Sequence, residues 1–370
     1  MFTLQHLYVL STETTNKTIT IMKKLSFILI LLSLVQVAWA QTNQYAERLD
    51  SIVTYGVWTE RKIEFAYNVK GQTEQILYYE RNEDGWSLTN KREYFYDEQG
   101  RDTLRAVFDR KEGEWVLLQK RHNTYGSHGE KLQTRVMQYA RGQMVTQLRC
   151  DYTYNQEGKQ LSASRYGRRQ DKPEEWTKTE IIQNEYDAKG NQVKETYEYL
   201  NTQLPERGVA IMRYDKEGRL TTRIDSIYNT LLDGREWQRQ DFSYHDGKLS
   251  RMKETLMTID HNVVYQSMYE SLFDPHENLL QTRRYKQVDG AWRNIYSISY
   301  FYNLNVEGSS IMGYEFVSDI LGYLSPETLD EKSKYHHKLI MVSDIQCMDE
   351  DVEDDENNGK SRTRLYYSPL

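Results

Sequence analysis

Cysteine, proline and long apolar runs are all scarce in this chain, and each scarcity removes a class of protein. Two cysteines in 370 residues, Cys150 and Cys347, cannot build the disulfide framework of a small secreted scaffold. They read as independent thiols, with a single bridge as the alternative. Of the five prolines, Pro173, Pro205 and Pro275 fall between segments of strand length, as expected where every intervening backbone N–H is needed for a ladder. No nucleophile elbow, phosphate loop, dinucleotide fingerprint or zinc-protease motif occurs. His336 and His337 are adjacent, so a strand would point them to opposite faces, and His122, His128 and His245 lack metal-ligand spacing. The acid pair Glu174 and Glu175 sits in turn-like text, where a solvated pair is the ordinary case and a glycosidase dyad the exception.

The one long apolar run is at the N-terminus. Lys23 and Lys24 follow Met22, then comes LSFILILLSLVQVAWA, with small residues at Ala38 and Ala40. That order is a secretory leader, and the run is short for a membrane span. Residues 1–40 therefore divide into an upstream extension and a signal peptide with Met22 as initiator and cleavage after Ala40, giving an exported chain that starts at Gln41. The expected location is the periplasm of a Gram-negative bacterium or, by secretion, its cell surface or surroundings, with no span in the mature chain. The formal net charge is −7, and residues 349–356 alone hold seven acids and no base. The body is near neutral, which gives no electrostatic case for a nucleic-acid partner.

What the chain does contain is tyrosine and a repeat. There are 30 Tyr against nine Phe, and mean hydropathy is −0.82. Amphipathic rings of this kind suit half-buried surfaces. A short turn recurs as YNVKG at Tyr67, YDEQG at Tyr96, YGSHG at Tyr125, YNQEG at Tyr154, YDAKG at Tyr186, YDKEG at Tyr214 and YHDG at Tyr244. It decays to FDPHEN at Phe273 and YNLN at Tyr302, with successive spacings of 29, 29, 29, 32, 28, 30, 29 and 29. A fixed period of this size marks a repeat architecture. In the turn, Asp or Asn accepts from nearby backbone N–H groups and Gly supplies a left-handed backbone, which is a device for reversing a strand. The best-formed turns are Tyr96, Asp97, Gly100; Tyr186, Asp187, Gly190; and Tyr214, Asp215, Gly218.

A second landmark precedes the first. Trp86, Trp115, Trp176 and Trp292 each stand ten residues before the following repeat Tyr, and Trp58 stands nine before Tyr67. Steps of two from Trp86 reach Leu88, Asn90, Arg92, Tyr94 and Tyr96, and steps from Trp292 reach Asn294, Tyr296, Ile298, Tyr300 and Tyr302. Alternation of period two argues for antiparallel strands. The reading is all-β: an elongated antiparallel β-meander of about nine ~29-residue repeats over 41–302, two strands each. It predicts a twisted, superhelical single sheet with one Trp/Tyr face inside the curve; the alternative is a β-sandwich.

The stretch RYDKEGRLTTRID resembles the YD repeat of the Rhs and teneurin families, whose core is Tyr-Asp, two free residues, Gly-Arg-Leu. Tyr214, Asp215, Gly218, Arg219 and Leu220 carry the best match, and Tyr96, Asp97, Gly100 and Arg101 a good one. The resemblance extends in weaker form over residues 58–302 and implies a spiralling β-sheet shell, which in bacteria can enclose a toxin. This chain departs by its longer period, its added Trp, and a length too short for a closed cocoon with a toxin inside. It is more similar to small secreted YD-like proteins of Gram-negative bacteria, so the toxin function does not carry over.

Residues 303–370 read as a capping segment, in which KLIMVSDIQC and RTRLYYSPL are strands flanking the acidic loop 349–356. That loop is a solvated one in the plain reading, with no cofactor; weak calcium binding by Asp349, Asp351, Asp354 and Asp355 is the alternative. The function expected is a non-enzymatic binding or structural surface for an extracellular glycan or protein. Its candidate ligand surface is the row Trp58, Trp86, Trp115, Trp176, Trp237 and Trp292. The alternative is a hydrolytic enzyme gathering carboxylates from several repeats.

Overall fold

The recurrent turn does what its residues demand. Gly218 donates to the Asp215 carbonyl at 3.1 Å, Asp215 N–H donates to Arg219 O at 3.0 Å, and Arg219 N–H donates to Asp215 Oδ1 at 2.9 Å. Gly218 sits at φ +82°, in the left-handed region that a Cβ disfavours. The shorter YHDG turn places Asp246 and Gly247 both at positive φ between paired His245 and Lys248, the two-residue hairpin that Asp-Gly favours.

The computed structural model describes residues 45–56, 60–140, 142–168, 175–200, 206–229, 234–258, 260, 262–312, 337–346 and 360–370. The strands are β1 (Glu47–Tyr55), β2 (Glu60–Tyr67), β3 (Thr73–Asn82), β4 (Gly85–Tyr96), β5 (Asp102–Lys111), β6 (Glu114–Tyr125) and β7 (Lys131–Ala140). They continue as β8 (Gln143–Tyr154), β9 (Gln160–Arg168), β10 (Trp176–Tyr186), β11 (Gln192–Tyr199), β12 (Glu206–Tyr214), β13 (Leu220–Asn229) and β14 (Gly234–His245). The last are β15 (Lys248–Met257), β16 (Val263–Phe273), β17 (Leu279–Val288), β18 (Ala291–Glu307), β19 (Ile311–Met312), β20 (His337–Gln346) and β21 (Lys360–Pro369). Among the described residues the one helical element is the three-residue 3-10 turn Gly308–Ser310, and no helix is long and apolar enough to cross a membrane.

The expected open meander is not what forms, and neither is a sandwich. Consecutive strands from β1 to β18 pair antiparallel, β18 pairs with β20, β20 with β21, and β21 returns to β1. The result is a single sheet closed into a barrel of twenty strands, with the two-residue β19 added in parallel against Glu47 and Arg48 at the seam. The closing register is long: Arg48 opposes Ser368 and Tyr55 opposes Arg362. Two open edges would each expose a row of unpaired backbone groups, and joining them removes both. Twenty strands at ~4.8 Å spacing and a tilt of about 40° close at a diameter on the order of 40 Å.

The single Trp/Tyr face is corrected too. Between Trp and Tyr, most repeats carry one extra residue on the even-numbered strand. Tyr78 opposes Asn90 while Tyr79 opposes Leu88, so Thr89 is bulged. Leu118, Gln147, Thr179 and Ile295 stand in the same way in β6, β8, β10 and β18. A bulge shifts the parity of everything beyond it, so Trp and Tyr of one repeat face opposite sides. Trp237 reaches the same outcome without a bulge, standing seven residues before Tyr244 in an unbroken register.

Burial identifies the inner face. Ile76, Tyr94, Met212, Phe242, Met252 and Tyr300 share the repeat-Tyr side and are buried, whereas Phe95, Leu272 and Phe301 on the other side are 43–47% exposed. Side chains converge on a concave face and splay on a convex one, so tyrosine lines the lumen and tryptophan the outside. The apolar core gathers where the barrel closes: Leu49 and Ile52 of β1, Leu279 of β17, Ile298 and Tyr300 of β18, Leu339 and Val342 of β20, and Leu365 of β21.

Candidate functional site

On the inner face, the repeat tyrosines form a ladder of hydroxyl bonds. Tyr96 donates to Thr73 O, Tyr125 to Asp102 O, Tyr154 to Lys131 O, Tyr186 to Gln160 O and Tyr214 to Gln192 O, at 2.7–2.8 Å. The acceptor lies six residues after the preceding repeat Tyr in these cases, at the first residue of a strand and next to the register shift that follows each turn. The carbonyl beside an irregular register lacks a regular cross-strand donor, and the next repeat's phenol supplies one. Burial pushes the Tyr125, Tyr154 and Tyr214 phenols above their ordinary value, so they remain neutral donors at physiological pH.

Asp97, Asp187 and Asp215 are spent in the same structural work. Each accepts from backbone N–H groups within its turn. At Asp187 the Asn191 side chain and backbone hold the carboxylate below its usual range. At Asp97 and Asp215 desolvation opposes ionisation, and hydrogen bonds from Arg101 and Arg219 outweigh it. The turn residues therefore meet in one recurring structural unit at one end of the barrel.

On the outer face, Trp86, Trp115, Trp176, Trp237 and Trp292 are half-buried, and Trp86, Trp115, Trp176 and Trp292 stand beside cations. Lys62 stands 4.2 Å from the Tyr79 ring centre and 5.6 Å from Trp86, and Arg81 lies 5.5 Å from Trp86. Lys91 repeats the pattern over Phe108 and Trp115, Arg149 over Tyr166 and Trp176, and Lys253 lies over Trp292. Such cation–π contacts contribute ~0.5–1 kcal/mol where exposed. These cations were missed in the sequence, yet their signal is there: Lys62, Lys91, Lys120, Arg149 and Lys178 recur at a spacing of 29. The structure brings Trp86, Trp115, Trp176, Trp237 and Trp292 to this one face; Trp58 lies outside the described residues, as do Cys347 and Asp349, Asp351, Asp354 and Asp355. Cys150 is a buried free thiol. Among the described residues no group of three or more His, Cys, Asp or Glu could hold a metal.

The inner wall is charged above the tyrosines, and its acids are engaged. Arg223 forms a two-pronged pair with Asp225 at 2.9 Å and lies 3.5 Å from Glu195. Glu180 pairs with Arg165 at 2.7 Å, and Glu254 accepts from Ser267 at 2.9 Å and from Gln238. Tyr197, half-buried near Asp225, is pushed up to about 12 chiefly by desolvation.

No protein-family model matches the chain, and no curated protein matches it. Several solved structures are distantly similar. The crystal structure of TcdB2-TccC3-TEV matches 66% of this chain at 10% identity with a TM-score of 0.25, and TcdB2-TccC3-Cdc42 matches 77% at 12% identity with a TM-score of 0.26. The match spans about a sixth of those chains, 16% and 17%. A porin-like protein from Bacteroides uniformis matches 88% of this chain and 100% of its own at 10% identity, with a TM-score of 0.31. Scores this low do not place the chain in any of these folds.

Proposed function

We propose that this chain is an exported, non-enzymatic β-barrel whose outer face serves as a binding or structural surface for a glycan or protein. The observation that carries the reading is the commitment of its carboxylates. Turn aspartates are bonded to backbone N–H groups, and the inner-wall acids Glu180 and Asp225 are paired with arginine. An acid–base pair for hydrolysis needs two carboxyl groups facing one substrate bond across a gap of a few ångströms. The outer face offers instead a row of aromatic rings at regular intervals. It also carries ions along its strands, such as Lys62 beside Glu64 and Lys91 beside Glu93, where a lipid-facing barrel needs an apolar band. The leader residues Lys23, Lys24 and Ala40 support export.

A glycan array and a hydrolase panel on residues 41–370 test the reading. Binding without turnover, weakened by Trp115→Ala, is the expected result. Turnover that disappears in Asp225→Asn overturns it. Expression in a Gram-negative host should yield an N-terminus at Gln41, and recovery of Met22 from the exported fraction would refute the leader.

A further inference from the structure

The inner wall is not electrically uniform. At β13 the one cation, Arg223, is held by two acids. At β5–β7 the balance reverses. Arg105 and Arg121 are direct cross-strand partners on the inner face, an arrangement that is destabilising for like charges. Arg105 pairs with Asp102. Arg121 makes no ion pair among the described residues, and its Nε is buried without a hydrogen-bond partner. Lys131, at the start of β7, adds a third positive group beside these two. Burial, and then the repulsion of Arg121, pushes its ammonium below its ordinary value, while Asp102 acts in the opposite sense. A buried donor without an acceptor is destabilising. Three cations facing one acid make a wall that lacks an anion.

We propose that Arg105, Arg121 and Lys131 form an oxyanion-binding site on the lumenal wall, taking a ligand with two or more anionic oxygens. Asp102 orients Arg105, Arg121 supplies the uncommitted guanidinium, and Lys131 adds a point charge; guanidinium suits a bidentate oxyanion. The ligand class is a phosphate, sulfate or carboxylate group, either free or carried on a small sugar. The site stands apart from the outer aromatic row and holds whether or not that row binds anything.

The test is calorimetry on residues 41–370 at low ionic strength, with pyrophosphate as the free oxyanion and a sulfated disaccharide as the carried one. Arg121→Gln and Lys131→Gln should each weaken binding of whichever probe is taken by roughly tenfold, the loss of one charged hydrogen bond. Arg223→Gln, on the acidic wall, should leave affinity unchanged. Melting supplies a second readout: without ligand, Arg121→Gln should raise Tm at low salt by relieving repulsion, and pyrophosphate should raise the parent's Tm but not that of the double variant carrying both Arg121→Gln and Lys131→Gln. No heat with either probe, or an equal Tm rise in parent and double variant, overturns the site.

Discussion

Two repeats of this barrel solve the same turn in different ways. At Tyr214 the turn is complete: the phenol bonds Gln192 O, Gly218 takes the left-handed position, and Arg219 grips Asp215 and reaches to 5.0 Å from the Tyr244 ring of the next repeat. At Phe273 the hydroxyl is missing, Glu277 occupies the left-handed position at φ +71°, and Asn278 replaces the arginine. Yet Asn278 is fully buried. It accepts from the His337 backbone N–H at 2.8 Å, across 59 residues of sequence, while its amide bonds Asp274 at 2.9 Å. The motif decays where the turn, still joining β16 to β17, must also hold a strand arriving from far away. Loss of consensus here marks an added task, closing the ring as well as joining neighbours.

The largest effect should come from the exceptional repeat. Asn278→Ala removes the buried side chain that accepts the part-buried His337 N–H and should cost about 2–3 kcal/mol, with hydrogen exchange rising first in β20. Unchanged protection there would remove Asn278 from the closure. Next, Gly218→Val should cost roughly 1–3 kcal/mol through strain at positive φ. Space is not the cause, because the nearest atom to an added Cβ is Asn191 Oδ1 at 3.9 Å. The opposite change, Glu277→Gly, should stabilise by about 1 kcal/mol; urea midpoints moving the same way for both would break the comparison.

The phenol ladder gives a smaller pair. Tyr214→Phe should cost about 0.5–1.5 kcal/mol, one hydrogen bond, and Phe273→Tyr should recover a similar amount by reaching the Leu249 carbonyl. A double-mutant comparison in which Phe273→Tyr destabilises would show that the absent hydroxyl is not what distinguishes the repeats. Smallest of all, Lys216→Ala and Glu217→Ala, at the exposed free positions of the turn, should stay within about ±0.5 kcal/mol by thermal melts. A loss equal to that of Gly218→Val would defeat the view of the turn as a backbone device.

The period-two alternation pointed to a sheet with tyrosine on an inner face, and the residues of the turn specified each reversal. Both are contacts between groups fewer than about thirty residues apart, so local chemistry carries them. The aromatic assignment failed at single residues such as Thr89 and Leu118. A bulge leaves period two looking intact in the text while it turns every later side chain to the other face. The paired cations were readable at their spacing of 29, but what each one covers depends on which strands become neighbours.

Strand content, the turn, its period and the tyrosine count were thus settled by the sequence alone, because each rests on adjacent residues and repeats along the chain. Whether twenty strands spiral open or join was decided by the pairing of β21 with β1, between residues more than three hundred positions apart. No local propensity encodes that contact. It forms because two free edges of a curled sheet meet and satisfy one another's backbone groups, with Leu49, Ile52, Leu339 and Leu365 buried at the join.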